Sequence, residues 1–323
     1  MYNTTLVTLS PQFVSTFNET KSTSINQGII FTTFSFLIIG LLGNVLMILL
    51  ILMTRILWNR ISLLLGILSF TDIILNIYML EARIDMLSGA YYLTNDECFE
   101  ISVYGIFASN VKMFLQFFIA IDRVLAIKYY IFYKNFSSSF YLSIVIFFSI
   151  FFGIILTSIG KVYTTDNVLS PVCTIPSAYY GNGKAIWIVI NLISSICIIC
   201  IYSYIWTFVK NHIKDETIDK NSVYINKVKA VLSSLTIIVI IYTLSWFLIF
   251  ILLLIIHFFA TKSMLTVIIQ EQMVWLVIIN ISSNFPVYMW RTDEYRKTFI
   301  RLFCFKSFFK ISPESHNYGN TIT

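Results

Sequence analysis

Residues 98–128 read CFEISVYGIFASNVKMFLQFFIAIDRVLAIK, and this stretch decides the fold. It is apolar at most positions. Its few charges are Glu100 near the start, Lys112 in the middle, and Asp122, Arg123 and Lys128 at the end. The 24 residues from Cys98 to Asp122 rise roughly 36 Å as a helix at 1.5 Å per residue. That is the depth of one membrane crossing, with a lysine held inside it and an Asp-Arg pair at its exit.

The rest of the chain supports this reading. Hydrophobic residues make up 58%, charged residues 12%, and the mean hydropathy is +0.82, whereas a soluble domain carries about 25% charge. Too few charges remain to cover a water-exposed surface, so the bilayer must be the solvent for much of the molecule. Apolar runs long enough to span it lie near 28–54, 61–82, 98–127, 140–160, 185–209, 230–256 and 266–290. The expected fold is therefore an all-α membrane protein, a seven-transmembrane helix bundle. Its segments are an extracellular 1–27, the bundle 28–290, a short amphipathic interfacial helix within 291–310 and a cytoplasmic tail 311–323. No internal repeat is evident, which weighs against an inverted-repeat transporter.

Seven spans put the termini on opposite sides. With the N-terminus outside, Lys and Arg divide 16 inside against 5 outside, with Lys112 within a span, and positive charge favours the cytoplasmic side. The net charge of +6 is thus a topology signal, and no nucleic-acid partner is inferred. The sequons at Asn3 and Asn18 fall outside and are candidate glycosylation sites, whereas those at Asn135 and Asn280 fall inside and within a span. Residues 1–27 lack an apolar core segment, so the first span is expected to act as its own targeting signal into the plasma membrane.

Polar groups in a membrane helix are costly and face the bundle interior, which makes them the informative positions. The first span carries Gly43-Asn44, the second Leu68-Ser69-Phe70-Thr71-Asp72, the third Asp122-Arg123-Val124, and the seventh Asn280 and Asn284-Phe285-Pro286-Val287-Tyr288. In this order and on these spans they resemble the landmarks of rhodopsin-like G-protein-coupled receptors. The stretches Ile121–Lys128 and Asn284–Arg291 look most like the nematode serpentine chemoreceptors of class SX. Departures are an absence of tryptophan in span four and of proline in span five, no proline two residues after Trp246, and Pro286 one place late.

The resemblance implies a receptor that binds an extracellular small molecule or peptide and activates a heterotrimeric G protein. It implies a Cys98–Cys173 disulfide, a switch made of Asp122, Arg123 and Tyr288, and a polar core of Asn44, Asp72, Lys112, Asn280 and Asn284. In related receptors the aspartate at the place of Asp72 often binds sodium. Lys112, ten residues before Asp122, lies at about the same depth as Asp72, roughly 15 Å from the cytoplasmic edge. Its ammonium could replace that ion. A lysine turned elsewhere and a neutral amine are the alternatives. Lys227 and Lys229 offer Arg123 no acidic partner from span six.

Candidate pocket residues are Arg83, Tyr104, Ser109, Trp187, Asn191, Trp246, Phe250 and Trp275. Gly105 stands where amine receptors carry an aspartate, and span seven has no lysine for a retinal Schiff base. Around 292–309, Tyr295, Phe299, Leu302 and Phe303 fit one apolar face and Arg296, Lys297 and Arg301 the other, which suits a membrane surface; Cys304 is a candidate for palmitoylation. No enzyme motif of the HExxH or GxSxG kind is present, Gly181-Asn182-Gly183-Lys184 reads as a loop turn, and no cofactor or metal is called for. A neuropeptide receptor of the same fold, and a channel or transporter using Asp72 and Lys112, are the rival functions.

Overall fold

The computed structural model describes residues 27–88, 93–170, 173–215, 245–258 and 264–303. Its long helices are α1 (Gln27–Met53), α2 (Arg60–Ser88), α3 (Asn95–Lys128), α5 (Ser138–Val162), α7 (Gly181–Asp215) and α9 (Met264–Arg291). Shorter ones are α4 (Tyr130–Asn135), α6 (Ile175–Ala178), α8 (Ser245–Phe258) and α10 (Asp293–Phe303). Six are long and apolar enough to cross a membrane, and α8 is a shorter apolar helix in the position of the sixth span. Residues 230–244 of that predicted span, Lys227 and Lys229 just before it, both predicted glycosylation sites and Cys304 lie outside the described residues.

The third span is the hub. α3 packs against α2, α4, α5, α6 and α7, while α1 packs against α2 and α9, and α10 folds back onto α9 and α1. Its sequence explains the placement. It is the least hydrophobic long helix, and from Gly105 to Met113 all but Phe107 are buried. α5 is the opposite case. It exposes Phe140, Phe147, Phe148, Phe151 and Ile154, and buries mainly the narrow strip of Val145, Ser149, Gly153, Leu156 and Gly160. A phenylalanine wall turned outward makes sense only against lipid.

Two apolar clusters sandwich a polar layer. On α2, Leu68 belongs to the cluster at the Arg123 end and Leu75 to the cluster at the disulfide end, with Asp72 between them. On α3, Ala108 and Leu115 flank Lys112 in the same way. Helix ends extend beyond the predicted spans wherever the chain can stay amphipathic. α2 continues to Ser88 because Arg83 and Met86 are buried while Glu81 and Asp85 are exposed. Gly181–Lys184 is the first turn of α7 and not a loop, with Gly181 taking the turn at φ +52.

The disulfide end is tied down. Cys98 and Cys173 are bonded across a Cα separation of 5.4 Å. Beside them β1 (Leu93–Thr94) pairs antiparallel with β2 (Leu169–Ser170). Thr94 caps α3 by accepting from the Glu97 amide, while Glu97 accepts from the Thr94 amide at 2.9 Å. At the other end, α10 buries Tyr295, whose hydroxyl donates to Ser62 at 2.7 Å, and stacks Phe299 edge-on to Phe285. Burial pushes the Tyr295 hydroxyl up to about 12. Leu302 of the predicted apolar face is exposed.

Gly105 faces the ring of Tyr78. A Cβ there would stand 2.4 Å from Tyr78 Cγ, whereas one on Gly66 would meet Ile51 Cδ1 at an ordinary 3.5 Å. Gly105→Ala should therefore cost about 1–3 kcal/mol by overpacking, and Gly66→Ala should gain about 0.5–1 kcal/mol in helix propensity. Thermal unfolding of the purified protein should show midpoints moving in opposite directions.

Candidate functional site

Asp72 and Lys112 reach each other across the α2–α3 interface. Lys112 Nζ donates to Asp72 Oδ1 at 2.5 Å and to Asn280 Oδ1 at 2.7 Å, and Asn284 Nδ2 donates to Asp72 Oδ2 at 2.6 Å. Both charges are fully buried. A lone charge at the centre of a membrane helix costs about 2.5–3.5 kcal/mol. Here each carboxylate oxygen has a donor and the ammonium has two acceptors, so the cost is met by mutual compensation. Asn280 extends the layer to α8, accepting from Trp246 Nε1 at 3.1 Å and donating to Ser245 Oγ at 3.2 Å. Asn44 is nearby but bonds the backbone, donating to the Ile281 carbonyl at 2.9 Å and to neither charge. Asn76, one turn beyond Asp72, donates back to the Asp72 carbonyl at 2.8 Å. It was readable in the sequence as a second polar residue on the buried face of α2.

At the far end of α3, Asp122 and Arg123 form a buried ion pair. Asp122 Oδ2 also accepts from the Tyr133 hydroxyl of α4 at 3.4 Å. Burial first, and then the negative charge of Asp122, hold that phenol above its ordinary range. α4 is itself held by Arg60 at the start of α2. The guanidinium lies 4.0 Å from the centre of the Tyr133 ring and 5.1 Å from that of Tyr141, and its Nη2 donates to the Tyr133 and Phe136 carbonyls at 3.2 and 2.6 Å. Neither Arg60 nor Tyr133 was singled out in the sequence, since an arginine at a helix start reads as an interfacial charge. Tyr288 is not joined to the pair. Its hydroxyl is buried without a hydrogen-bond partner among the described residues, and its ring packs 5.5 Å from that of Tyr295.

At the disulfide end the helices leave a small cavity, part of it open to solvent. It lies between α2 and α9, walled by Leu75, Tyr78, Met79, Arg83 and Met86 on one side and Met273, Val274 and Val277 on the other. Trp246 and Trp187 stand at its inner side with Ser109, and Thr174, Ile175 and Pro176 cover it. Of the eight predicted pocket residues, Arg83, Ser109, Trp187 and Trp246 line it. The other four do not. Phe250 is fully buried between Trp246, stacked at 5.5 Å, and Trp187, edge-on at 5.4 Å. Asn191 turns back to the Trp187 carbonyl on its own helix. Tyr104 donates to Glu81. Trp275 packs on Phe36 of α1, with ring centres 6.1 Å apart. In each case an aromatic or amide had a partner that residue type alone does not announce.

An aromatic column joins these regions. Phe99 meets Tyr179 edge-on, Tyr179 stacks on Trp187 at 4.8 Å, and Trp187 leads through Phe250 to Trp246. Asn110 orients the middle of it, donating to the Tyr179 hydroxyl and accepting from Trp187 Nε1, both at 3.0 Å. Among the described residues no three His, Cys, Asp or Glu side chains gather to hold a metal ion.

Compared with known proteins, residues 37–303 match the family model described as serpentine type 7TM GPCR chemoreceptor Srsx. No curated protein matches the chain.

The ion pair makes a double-mutant prediction. Lys112→Met leaves Asp72 charged and buried, and should cost about 3–5 kcal/mol. Adding Asp72→Asn removes the orphaned charge and should recover most of the loss. Thermal midpoints and surface expression measured across the cycle test this; equal damage in the single and double variants would show that the two charges do not compensate each other.

Proposed function

Because the chain belongs to the Srsx family of serpentine seven-transmembrane G-protein-coupled chemoreceptors, we propose that it binds an extracellular chemical cue in the cavity at the disulfide end. At the Arg123 end it promotes nucleotide exchange on a heterotrimeric G protein. The observation that carries this reading is the double duty of Trp246. It lines the cavity and it donates to Asn280, which in turn accepts from Lys112. A molecule that favours one arrangement of Trp246 must favour one arrangement of the polar layer, and so shifts the populations of the whole bundle.

The N-terminus is extracellular and the C-terminus cytoplasmic in this reading. The 16-to-5 division of basic residues supports it, and so does a disulfide at the cavity end, where the compartment is oxidising. In the resting arrangement Asp122 holds Arg123, and Arg60 presents α4 so that Tyr133 reinforces Asp122. On activation Arg123 is released toward the G protein. α10, with Arg296, Lys297 and Arg301 exposed, lies along the inner leaflet. The cover of Thr174, Ile175 and Pro176 favours a small molecule over a neuropeptide. A channel or transporter is disfavoured, because Asp72 and Lys112 are paired with each other and bonded by Asn284 and Asn280.

Nucleotide exchange on a panel of G proteins, with current recorded in the same cells, tests the reading. Arg123→Ala should reach the cell surface and lose evoked exchange; current without exchange would make the protein a channel instead. Arg60→Ala should lower maximal exchange without changing the concentration of cue needed, and Arg60→Lys, which keeps the charge but not the planar fork, should restore only part of it. A shift in cue sensitivity with unchanged maximum would separate Arg60 from the coupling end.

A further inference from the structure

The turn from α4 into α5 sets exposed serines against a buried arginine. Ser137 precedes α5 and makes no side-chain capping bond, and Ser138 and Ser139 are the first residues of the helix. All three are exposed. Arg60 is only 8% exposed. Its Nη2 reaches Ser138 Oγ at 3.4 Å, in addition to the Tyr133 and Phe136 carbonyls. Among the described residues its Nε has no hydrogen-bond partner and no carboxylate pairs with it. The charge of Arg60 is therefore met there only by neutral groups: two carbonyls, a hydroxyl and the rings of Tyr133 and Tyr141.

A phosphate carried on Ser138 would stand directly against that guanidinium. It brings a charge of about −1.5 to −2 and three acceptor oxygens. Two features favour it at this place. Ser138 opens a helix of 25 residues, where free amides and the helix dipole stabilise an anion. Arg60 adds a planar fork, which suits phosphate better than it suits a single carbonyl. A charge-assisted bond is about twice as strong as a neutral one, so Arg60 turns its donors from the Tyr133 and Phe136 carbonyls to the phosphate. Those two bonds fasten α4 to the start of α2. α4 also carries Tyr133 to Asp122, so loosening it disturbs the face from which Arg123 is offered. Lys134, exposed four residues before Ser138, supplies a positive charge for a kinase to read.

Resting on the reading that the Arg123 end is cytoplasmic and couples to the G protein, we propose that Ser138 is a phosphorylation site whose phosphate takes Arg60 from α4 and so turns coupling down. The phosphate donor is ATP, and the catalyst is a serine kinase that favours basic sequences. The Ser138 oxygen bonds to the γ-phosphorus as the bond from that phosphorus to the ADP oxygen breaks. The hydroxyl proton passes to the kinase, and ADP leaves.

The test uses the full purified chain with ATP and recombinant cAMP-dependent protein kinase or protein kinase C. Peptide mass spectrometry places the phosphate. Hydrogen exchange of the α4 amides and nucleotide exchange on the G-protein panel are read before and after. Ser138 should take phosphate, the α4 amides should then exchange about 10-fold faster, the loss of one or two hydrogen bonds to a charged group, and nucleotide exchange should fall. Ser138→Ala should keep wild-type protection of α4 and abolish all three effects of the kinase. Arg60→Gln should speed α4 exchange without phosphate and show no further rise with it. Arg60→Lys, a milder change that guards against a misfolded Gln variant, should fall between. No phosphate at Ser138 from either kinase, phosphate on Ser137 or Ser139 alone, α4 exchange unmoved by the phosphate, or an equal rise in wild type and Arg60→Gln would overturn the proposal. Faster α4 exchange with unchanged nucleotide exchange supports the phosphate–Arg60 contact and overturns its effect on coupling. Hydrogen exchange decides the contact even if the unmodified chain drives no nucleotide exchange, an outcome that sinks the receptor reading alone.

Discussion

Everything in this bundle is arranged around a lysine and an aspartate that have no water to turn to. In a soluble protein a buried pair of this kind contributes little net stability. Within a membrane the alternatives are worse, because neither charge can be left alone and no solvent waits on the far side of the helix. The pair therefore dictates that α2 and α3 face each other at one depth, and that α9 brings Asn280 and Asn284 to the same level. The hydrophobic clusters above and below can form in many registers, whereas the polar layer can close in few.

That constraint also gives the molecule a means of communication. Asn280 accepts from the lysine and from the indole of Trp246 with the same oxygen, so neither contact moves without disturbing the other. From Trp246 the aromatic column runs through Phe250, Trp187 and Tyr179 to Phe99, the neighbour of the disulfide cysteine Cys98. On the other side, Arg123 lies on the same helix as Lys112, three turns further along. Adjacency of this sort is a contiguous physical route between the two ends. It does explain why one helix carries so many buried polar residues.

The fold was legible because a membrane leaves few options. Charge in an apolar run is expensive, so Asp72, Lys112, Asp122 and Arg123 advertised their importance, and the matched depth of Asp72 and Lys112 followed from helical rise alone. What remained hidden was direction. The sequence does not say that Trp275 turns to α1 and Trp246 to the cavity, since both are aromatic rings on apolar helices. Gly105 was legible as a missing carboxylate but not as a seat for the Tyr78 ring. Arg60 was hidden for a different reason. Its role arises from a short helix seventy residues away, and nothing local to Arg60 marks the two tyrosine rings that enclose it.

The cover over the cavity is sewn at both edges. The disulfide fixes Cys173 to α3, Asn95 donates to the carbonyls of Ser177 and Ala178 at 2.9 Å, and Tyr179 is wedged beneath. A loop anchored in this way cannot swing aside as a unit. Among the described residues, this side of the cavity mouth is therefore fixed in outline and not hinged. A covalent stitch and two hydrogen bonds to backbone carbonyls thus give a loop the rigidity of the helices it joins.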